Sequence, residues 1–211
     1  MIKLIKAMRN LGRAEKGMTG LETAIILIAF VTVAAVFGYA VLSAGLFSAE
    51  RGKETIYAGL NEAKSNMELS GSVIGKGTTT GTSSDNLTTI KFTVKNAIAG
   101  NPIDLTACDG TTNATNKCVI SLTTAKEYKN NIKWTKTFIG DDNGNDLLET
   151  GEQCEITISL AAGGLGTVAG DLSNPLQAND TFSLQVKPSL GSTITIQRQL
   201  PPAISAVMDL H

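Results

Sequence analysis

The hydrophobic and polar positions divide the chain into a basic leader, a long apolar stretch and a polar remainder. Residues 1–16 are rich in Lys and Arg, whereas residues 23–49 carry no charge and are mostly Ile, Leu, Val, Ala and Phe. A helix rises about 1.5 Å per residue, so the uncharged stretch would cover on the order of 40 Å, enough to span a hydrocarbon core of roughly 30 Å. A helix that is apolar on every face is buried in lipid or in protein, and the pattern does not choose between them.

An amphipathic pattern continues the helix beyond the uncharged stretch. Apolar side chains recur there at intervals of four, three and four residues, at Ile56, Leu60, Ala63 and Met67. We interpret this stripe as the face that covers the chain's own folded domain. The pattern predicts one continuous helix from about Thr19 to Leu69, about 75 Å long, and glycines from Gly71 onward are expected to end it.

Short β-like segments follow from residue 87 to the end of the chain. They are rich in β-branched and aromatic residues and are separated by Gly, Asn, Asp or Pro, which predicts strands over residues 88–94, 117–124, 131–139, 153–160, 180–187 and 192–200. With no convincing helix between them, they predict an antiparallel β-sandwich or barrel, immunoglobulin-like in general architecture. The predicted fold class is α+β, with a leader at 1–17, a helix at 18–70 and a β domain at 71–211.

The boundary between leader and helix predicts an unusual cleavage site. A secretory signal is cut after its apolar segment, but here the small residue Gly17 precedes that segment. A cut between Gly17 and Met18 would remove the basic leader and keep the apolar helix. A secretory signal and a plain transmembrane anchor are the alternatives, and the basic flank would stay cytoplasmic in an anchor.

The apolar helix itself contains candidate assembly residues. Glu22 lies near its start, and a carboxylate in a lipid-embedded helix is costly unless it is paired, so we expect the new amine of Met18 as its partner, within one chain or from a neighbour. Small residues recur at four-residue intervals, at Ala34 and Gly38 and at Ala40, Ala44 and Ser48. Such spacing permits close approach between helices, and it also suits a helix that faces lipid.

The strongest chemical motif of the β domain is DDNGNDLLETGE, residues 141–152. Its oxygens have the spacing of an EF-hand calcium loop, with side chains from Asp141, Asn143, Asn145, Glu149 and Glu152 and the carbonyl of Leu147. Position 6 is Asp146 rather than Gly and strands flank the loop, so an EF-hand is excluded. The sequence favours a calcium-binding connection between strands, and the alternative is a polar turn whose side chains satisfy the backbone.

N-glycosylation acceptor sequences begin at Asn86, Asn113 and Asn179. In a chain so rich in Thr, some of these matches arise by chance. On an exported protein, the three sequons together predict N-linked glycans at these positions.

The chain has three cysteines, Cys108, Cys118 and Cys154. Export would permit a disulfide, and three cysteines allow three alternative single bridges. We prefer Cys108 with Cys118, which leaves Cys154 unpaired. Zinc is not expected because there is no CxxC pair and the one histidine, His211, is the terminal residue.

Composition argues against two classes of function. The formal net charge is −1 and no basic patch marks the β domain, so nucleic acid is not an expected partner. No nucleophile lies beside a base, and no GxSxG motif is present, so the chain is not expected to be an enzyme.

The residues around the predicted cleavage site resemble a known family. The stretch Ala14-Glu15-Lys16-Gly17, then Met18-Thr19-Gly20-Leu21-Glu22 and the uncharged run, resembles the start of archaeal flagellins (archaellins), the archaellum subunits related to type IV pilins. The resemblance is strong over residues 10–70. It implies processing after Gly17 by a prepilin-peptidase-like enzyme, a precursor in the cytoplasmic membrane and an extracellular homopolymer, with paralogous archaellins as further partners.

The resemblance also bears on the other candidate sites. It implies an outer β-sandwich, metal-binding acidic loops and N-linked glycans, and it places Glu22 where type IV pilins carry the carboxylate that contacts a neighbour's N-terminal amine. The expected function is a filament subunit used for swimming. An adhesive pilin and a solitary membrane-anchored β domain are the alternatives, and hydrophobic patterning does not separate them because each needs the same anchor.

Overall fold

The fold was analysed in a computed structural model of the chain, which describes residues 19–78, 85–111, 116–140 and 142–210. The chain splits into two compact units, Met1–Ile56 and Tyr57–His211. The described part of the first unit is helical. The second unit contains the last turns of that helix and all of the strands described below.

The long helix α1 spans Gly20–Lys64. Its aliphatic and alanine-rich sequence has no proline, so nothing interrupts the backbone hydrogen bonds of the helix. It ends five residues before the predicted end at Leu69, because Met67 already begins a strand. At this end the Ser65 hydroxyl donates to the carbonyl of Asn61 at 2.9 Å, and Ser65 is buried.

The β domain is therefore longer at its start than the predicted boundary at residue 71. Its strands are β1 Met67–Gly77, β2 Leu87–Asn96, β3 Ile103–Asp104, β4 Val119–Thr124, β5 Tyr128–Lys129, β6 Thr135–Ile139, β7 Leu147–Leu148, β8 Gln153–Ser159, β9 Thr181–Lys187, β10 Ile194–Gln199 and β11 Met208–Leu210. A four-residue helix, α2, spans Gly166–Ala169. The six strands predicted from the sequence correspond to β2, β4, β6, β8, β9 and β10.

The strands form antiparallel sheets. The first sheet has the order β11-β1-β2-β8-β6, the second has the order β10-β9-β4-β5, and β3 pairs with β7. In the centre of the first sheet, Phe92 of β2 lies opposite Ile156 of β8, and in the second sheet Leu122 of β4 lies opposite Leu184 of β9. These registers place alternate residues of each strand on one face.

One hydrophobic core joins the two larger sheets. Phe92 and Ile156 from the first sheet and Leu122 and Leu184 from the second belong to the same buried cluster, together with Trp134. Both sheets thus bury their inner faces against each other, which is the arrangement of a β-sandwich. The predicted α+β fold, a long N-terminal helix followed by an antiparallel β-sandwich, is confirmed.

Strand β1 was not predicted, because its glycines were taken as helix breakers. Gly71 has φ +81° and lies where the register with β2 shifts between Ser70 and Ile74, so it serves a β-bulge. Gly75 is closely packed, since a Cβ there would lie 2.8 Å from Cδ1 of the buried Leu87. These glycines belong to a strand and mark its irregular points.

The interpretation of the stripe at the rear of the helix was wrong. Of the members that lie in the second unit, Leu60 is 42% exposed and Ala63 is exposed as well. The fourth member, Met67, is buried, but it belongs to β1 and not to α1. The β domain fills its core from its own sheets, so the helical part of the stripe remains at the surface.

Candidate assembly interface

The first turn of α1 shows how the structure uses Glu22. The backbone N–H of Thr19 donates to Oε2 of Glu22 at 3.1 Å, and the N–H of Thr23 donates to the Thr19 carbonyl at 3.2 Å. Thr19 and Glu22 have the spacing of a capping box, of which this carboxylate contact is one half. A negative charge in the first turn also interacts favourably with the helix dipole.

This contact was missed from the sequence, although the Thr-x-x-Glu spacing signals it. The predicted partner of Glu22, the amine of Met18, and the predicted cleavage residue Gly17 lie outside the described residues. The described contact satisfies the Thr19 N–H and still leaves the second carboxylate oxygen of Glu22 available for a neighbour. Pairing with an amine therefore stays a prediction.

Beyond its first turn, α1 exposes its apolar side chains along its whole length. Among the described residues, α1 is the helix long and apolar enough to cross a membrane, and none of its apolar window is buried. Phe30 is 74% exposed, Phe37 71% and Tyr39 76%. Because burying each large apolar side chain stabilises by roughly 1.5–3 kcal/mol, this surface needs lipid or other protein to cover it.

The small residues of α1 lie on this same open surface. Ala34 and Gly38 share one face of the helix, and Ala40 and Ala44 share another, and all four are exposed. A Cβ added at Gly38 would meet no atom within 4 Å. The structure thus leaves room for a second helix to approach closely here, and the role of these positions in assembly stays a prediction.

The acidic loop forms successive Asx turns. Oδ1 of Asn143 accepts from the N–H of Asn145 at 3.0 Å, and Oδ1 of Asn145 accepts from the N–H of Leu147 at 2.7 Å. Oδ1 of Asp142 accepts from the N–H of Gly144 at 2.8 Å. Such turns satisfy the backbone of a tight connection, as the polar-turn alternative expects.

The remaining predicted ligands are tied to the same loop. Oε2 of Glu152 accepts from the N–H of Glu149 at 2.9 Å, and Oε2 of Glu149 accepts from Nδ2 of Asn143 at 2.9 Å. Asp146, at the position that an EF-hand gives to Gly, forms a 2.7 Å ion pair with Nζ of Lys136. The first predicted ligand, Asp141, lies outside the described residues.

Calcium at this loop stays a prediction, since within the described ranges no group of three or more His, Cys, Asp or Glu side chains is placed to hold an ion. Each side-chain oxygen named in these loop contacts accepts one hydrogen bond and keeps a second lone pair, so the contacts alone leave a possible ligand position on each. Saturating calcium is expected to raise the thermal midpoint of the detergent-solubilised chain by about 5–10 °C. Scanning calorimetry with calcium and with EDTA measures this.

The variant Glu149→Gln should abolish the calcium response, because it removes a charged ligand. Asp171→Asn removes an acid outside the loop and serves as the control that keeps the response. Equal midpoints for the wild-type chain in calcium and in EDTA would remove the site.

The described sequons differ in accessibility. Asn179 is exposed and has φ +66°, in a turn that Asp180 closes through its N–H to the Gln177 carbonyl. Asn86 is only partly exposed, and its Oδ1 is buried with no hydrogen-bond partner. The third sequon residue, Asn113, lies outside the described residues. The geometry supports Asn179 as the more accessible acceptor, and glycosylation at each position stays a prediction.

All three cysteines are buried free thiols, so the predicted bond between Cys108 and Cys118 is not present in the structure. Burial raises the pKa of the Cys118 thiol to about 12 and that of Cys154 to about 11. The N–H of Gly110 donates to Sγ of Cys108 at 3.2 Å. At neutral pH, Cys118 and Cys154 therefore remain protonated and react slowly in thiol-disulfide exchange.

Comparisons with known proteins agree with a long N-terminal helix followed by a β domain. The sequence model of archaeal-type flagellin matches residues 17–198. The probable flagellin 1 of Archaeoglobus fulgidus is 39% identical over an alignment that covers 93% of this chain and 95% of the relative. The probable flagellin 1 of Aeropyrum pernix is 28% identical and covers 91% of this chain and 95% of the relative.

The solved structures point the same way. The structure of the archaeal flagellum of Methanospirillum hungatei superposes with a TM-score of 0.61 at 27% identity, covering 92% of this chain and 99% of the other. An archaeal flagellin from Methanocaldococcus jannaschii, at 14% identity and a TM-score of 0.51 over 68% of this chain and 95% of the other, shares the fold. With its exposed apolar helix and the family match that spans helix and sandwich together, this chain belongs to the archaeal-type flagellin family.

Proposed function

We propose that the chain is a structural subunit of the archaellum filament, used for swimming, and that it polymerises through α1 after its leader is removed. The observation that carries this is the surface of α1. Its uncharged residues 23–49 are exposed in the single chain, while the β domain buries a complete core of its own. The helix is therefore available for other copies, and the fold of the β domain does not depend on it for a core.

Exchange of the helix from lipid into a filament costs little transfer energy. Lipid tails and apolar helices are similar surroundings for Ile, Leu, Val and Phe, so the hydrophobic effect does not separate the two states strongly. Close packing at small residues and pairing at Glu22 would then favour the filament. One segment would serve as membrane anchor in the precursor and as polymer core afterwards.

Family membership makes the chain a structural protein rather than an enzyme, and its polymer is a homopolymer of flagellin subunits. Finer features belong to the proposal: a precursor in the cytoplasmic membrane, an extracellular filament with paralogous archaellins as further partners, and a prepilin-peptidase-like enzyme that cuts between Gly17 and Met18. The family match begins at residue 17, beside the proposed cut, which supports that position.

Filaments collected without detergent test this proposal. The chain should pellet with them, and mass spectrometry of the pelleted subunit should find Met18 as its first residue. Deletion of the chain should abolish swimming, whereas loss of attachment alone would favour an adhesive pilin. A chain that stays in the membrane and never pellets would exclude the filament and leave the solitary anchor.

The capping contact makes the role of Glu22 separable by two substitutions. Glu22→Gln keeps an oxygen that accepts from the Thr19 N–H but removes the charge, and Glu22→Ala removes both. If the carboxylate pairs with a neighbour's amine, Glu22→Gln should lower the pelleted fraction while the membrane-inserted precursor stays at the wild-type level. Quantitative blotting of the pellet and of the membrane fraction measures both.

Glu22→Ala should lower the pelleted fraction further, because losing the cap destabilises the first turn by about 1 kcal/mol. Normal filaments from Glu22→Gln together with impaired filaments from Glu22→Ala would assign Glu22 to capping alone.

A further inference from the structure

Two loops of the β domain hold the end of α1. The loop 97–101 approaches it from one side, where the N–H of Ala97 donates to the Asn66 carbonyl at 2.9 Å. A Cβ at Gly100 would lie 2.7 Å from Cβ of Lys64, so this loop touches the helix closely. The loop 189–192 approaches the end of the helix from another side.

The second loop is held by polar contacts. The N–H of Gly191 donates to Oε1 of Glu62 at 3.1 Å, and the N–H of Ser192 donates to Oδ1 of Asn66 at 2.8 Å. The carboxylate of Glu62 is therefore engaged within the chain. One oxygen of Glu62 and the amide oxygen of Asn66 thus fix the position of this loop.

Each loop also exposes one large aliphatic side chain. Ile98 of the first loop is 54% exposed and Leu190 of the second is 55% exposed. Leu60 lies one helical turn before Lys64, on the face next to the first loop, and is 42% exposed. We call Leu60, Ile98 and Leu190 the basal collar.

The size of the basal collar limits what it can do. Its three side chains offer on the order of 300 Å², well below the ~800 Å² that each partner contributes to a stable interface. The collar is thus too small to hold a dimer of β domains alone. It can add to an interface that another part of the chain provides, and α1, on which Leu60 lies, is that part.

We propose that the basal collar docks the uncharged helical segment, residues 23–49, of a second copy of this chain. This inference rests on the proposed function, since it names where the β domain grips the polymer core. The chemistry matches, because the collar presents aliphatic side chains and the segment is uncharged and exposed. The collar is also continuous with the polymerising helix through Leu60.

The test uses the full chain as the sole flagellin of a cell. The double variant Ile98→Ser with Leu190→Ser should cause a roughly tenfold fall in the fraction that pellets as filaments. The urea midpoint of the detergent-solubilised chain should not change, because both side chains are already exposed. The matched control is Val207→Ser, an apolar residue that is 61% exposed.

Val207 is distant from the collar. It precedes Met208, which pairs with Gly75 of β1. Gly75 lies roughly 25 Å along β1 from Met67, the residue of β1 next to the end of α1. Wild-type filaments with equally abundant double-variant filaments would overturn the inference and leave the proposed function intact. Equal losses from Val207→Ser and from the double variant would also overturn it. A wild-type chain that never pellets would overturn both.

A photo-crosslinking side chain at position 190 identifies the occupant. In wild-type-like filaments it should give an adduct of twice the subunit mass, mapped by peptide sequencing to residues 23–49. An adduct that maps to residues 57–210 of another copy, or no adduct of doubled mass, would contradict the helical occupant.

Discussion

Replacing Gly191 with alanine is expected to lower the free energy of unfolding of the β domain by about 3 kcal/mol or more. Gly191 has φ +96°, and an added Cβ would overlap the backbone carbonyl of Ser65, just past the end of α1. The obstacle is backbone rather than a flexible side chain, so the loop 189–192 has to move. That movement also breaks the hydrogen bond from the Gly191 N–H to Glu62.

The chain contains a matched control for this substitution. Gly140 has the same φ of +96°, but a Cβ there would meet nothing within 4 Å. Gly140→Ala should therefore cost only the backbone strain, about 1 kcal/mol. Urea unfolding of the detergent-solubilised chain, followed by the fluorescence of its single, buried tryptophan Trp134, measures both. Equal losses for the two variants would show that contact with Ser65 contributes nothing.

The end of α1, where the loop 189–192 contacts Ser65, is the part of the fold that is hardest to predict from the sequence. The apolar run and six alternating strands are local patterns, and each was predicted from a few neighbouring residues. The end of α1 depends instead on pairing between Met67–Gly77 and strands that lie later in the chain. From local sequence a glycine is interpreted as a helix breaker, whereas the requirement for Gly191 comes from backbone atoms of Ser65, which is distant in the sequence.

The candidate sites also show that local contacts can be predicted from the sequence, whereas contacts with distant residues or other copies cannot. The Thr-x-x-Glu spacing was present in the sequence, and the contact between Thr19 and Glu22 is local enough to be found from it. The exposure of Leu60 could not be predicted from the sequence. An apolar stripe has the same spacing whether it packs against its own chain or against another copy. In a homopolymer the partner has the same sequence, so the sequence does not show whether the stripe packs within its own chain or against another copy.

Substitution of two phenylalanines is expected to separate folding from assembly. Phe92 lies in β2, is 1% exposed and belongs to the core shared by the two larger sheets. Phe92→Ala leaves a cavity where a buried ring was, so it should lower the free energy of unfolding by about 3–5 kcal/mol. Phe37 lies in α1 and is 71% exposed, so Phe37→Ala should change that free energy by less than about 0.5 kcal/mol.

Phe37→Ala should lower the stability of the filament, although it hardly changes the free energy of unfolding of the single chain. If α1 forms the polymer core, the Phe37 ring is buried between copies, and its loss should weaken the filament by about 1.5–3 kcal/mol for each subunit. Phe37→Ala is thus expected to give filaments that dissociate at a lower temperature, measured by pelleting after heating, with an unchanged urea midpoint from Trp134. Filaments of wild-type thermal stability, or a urea midpoint that falls as far as that of Phe92→Ala, would contradict the assignment of Phe37 to assembly. Because the β domain is stabilised by a core of its own, the apolar surface of α1 stays free for polymerisation.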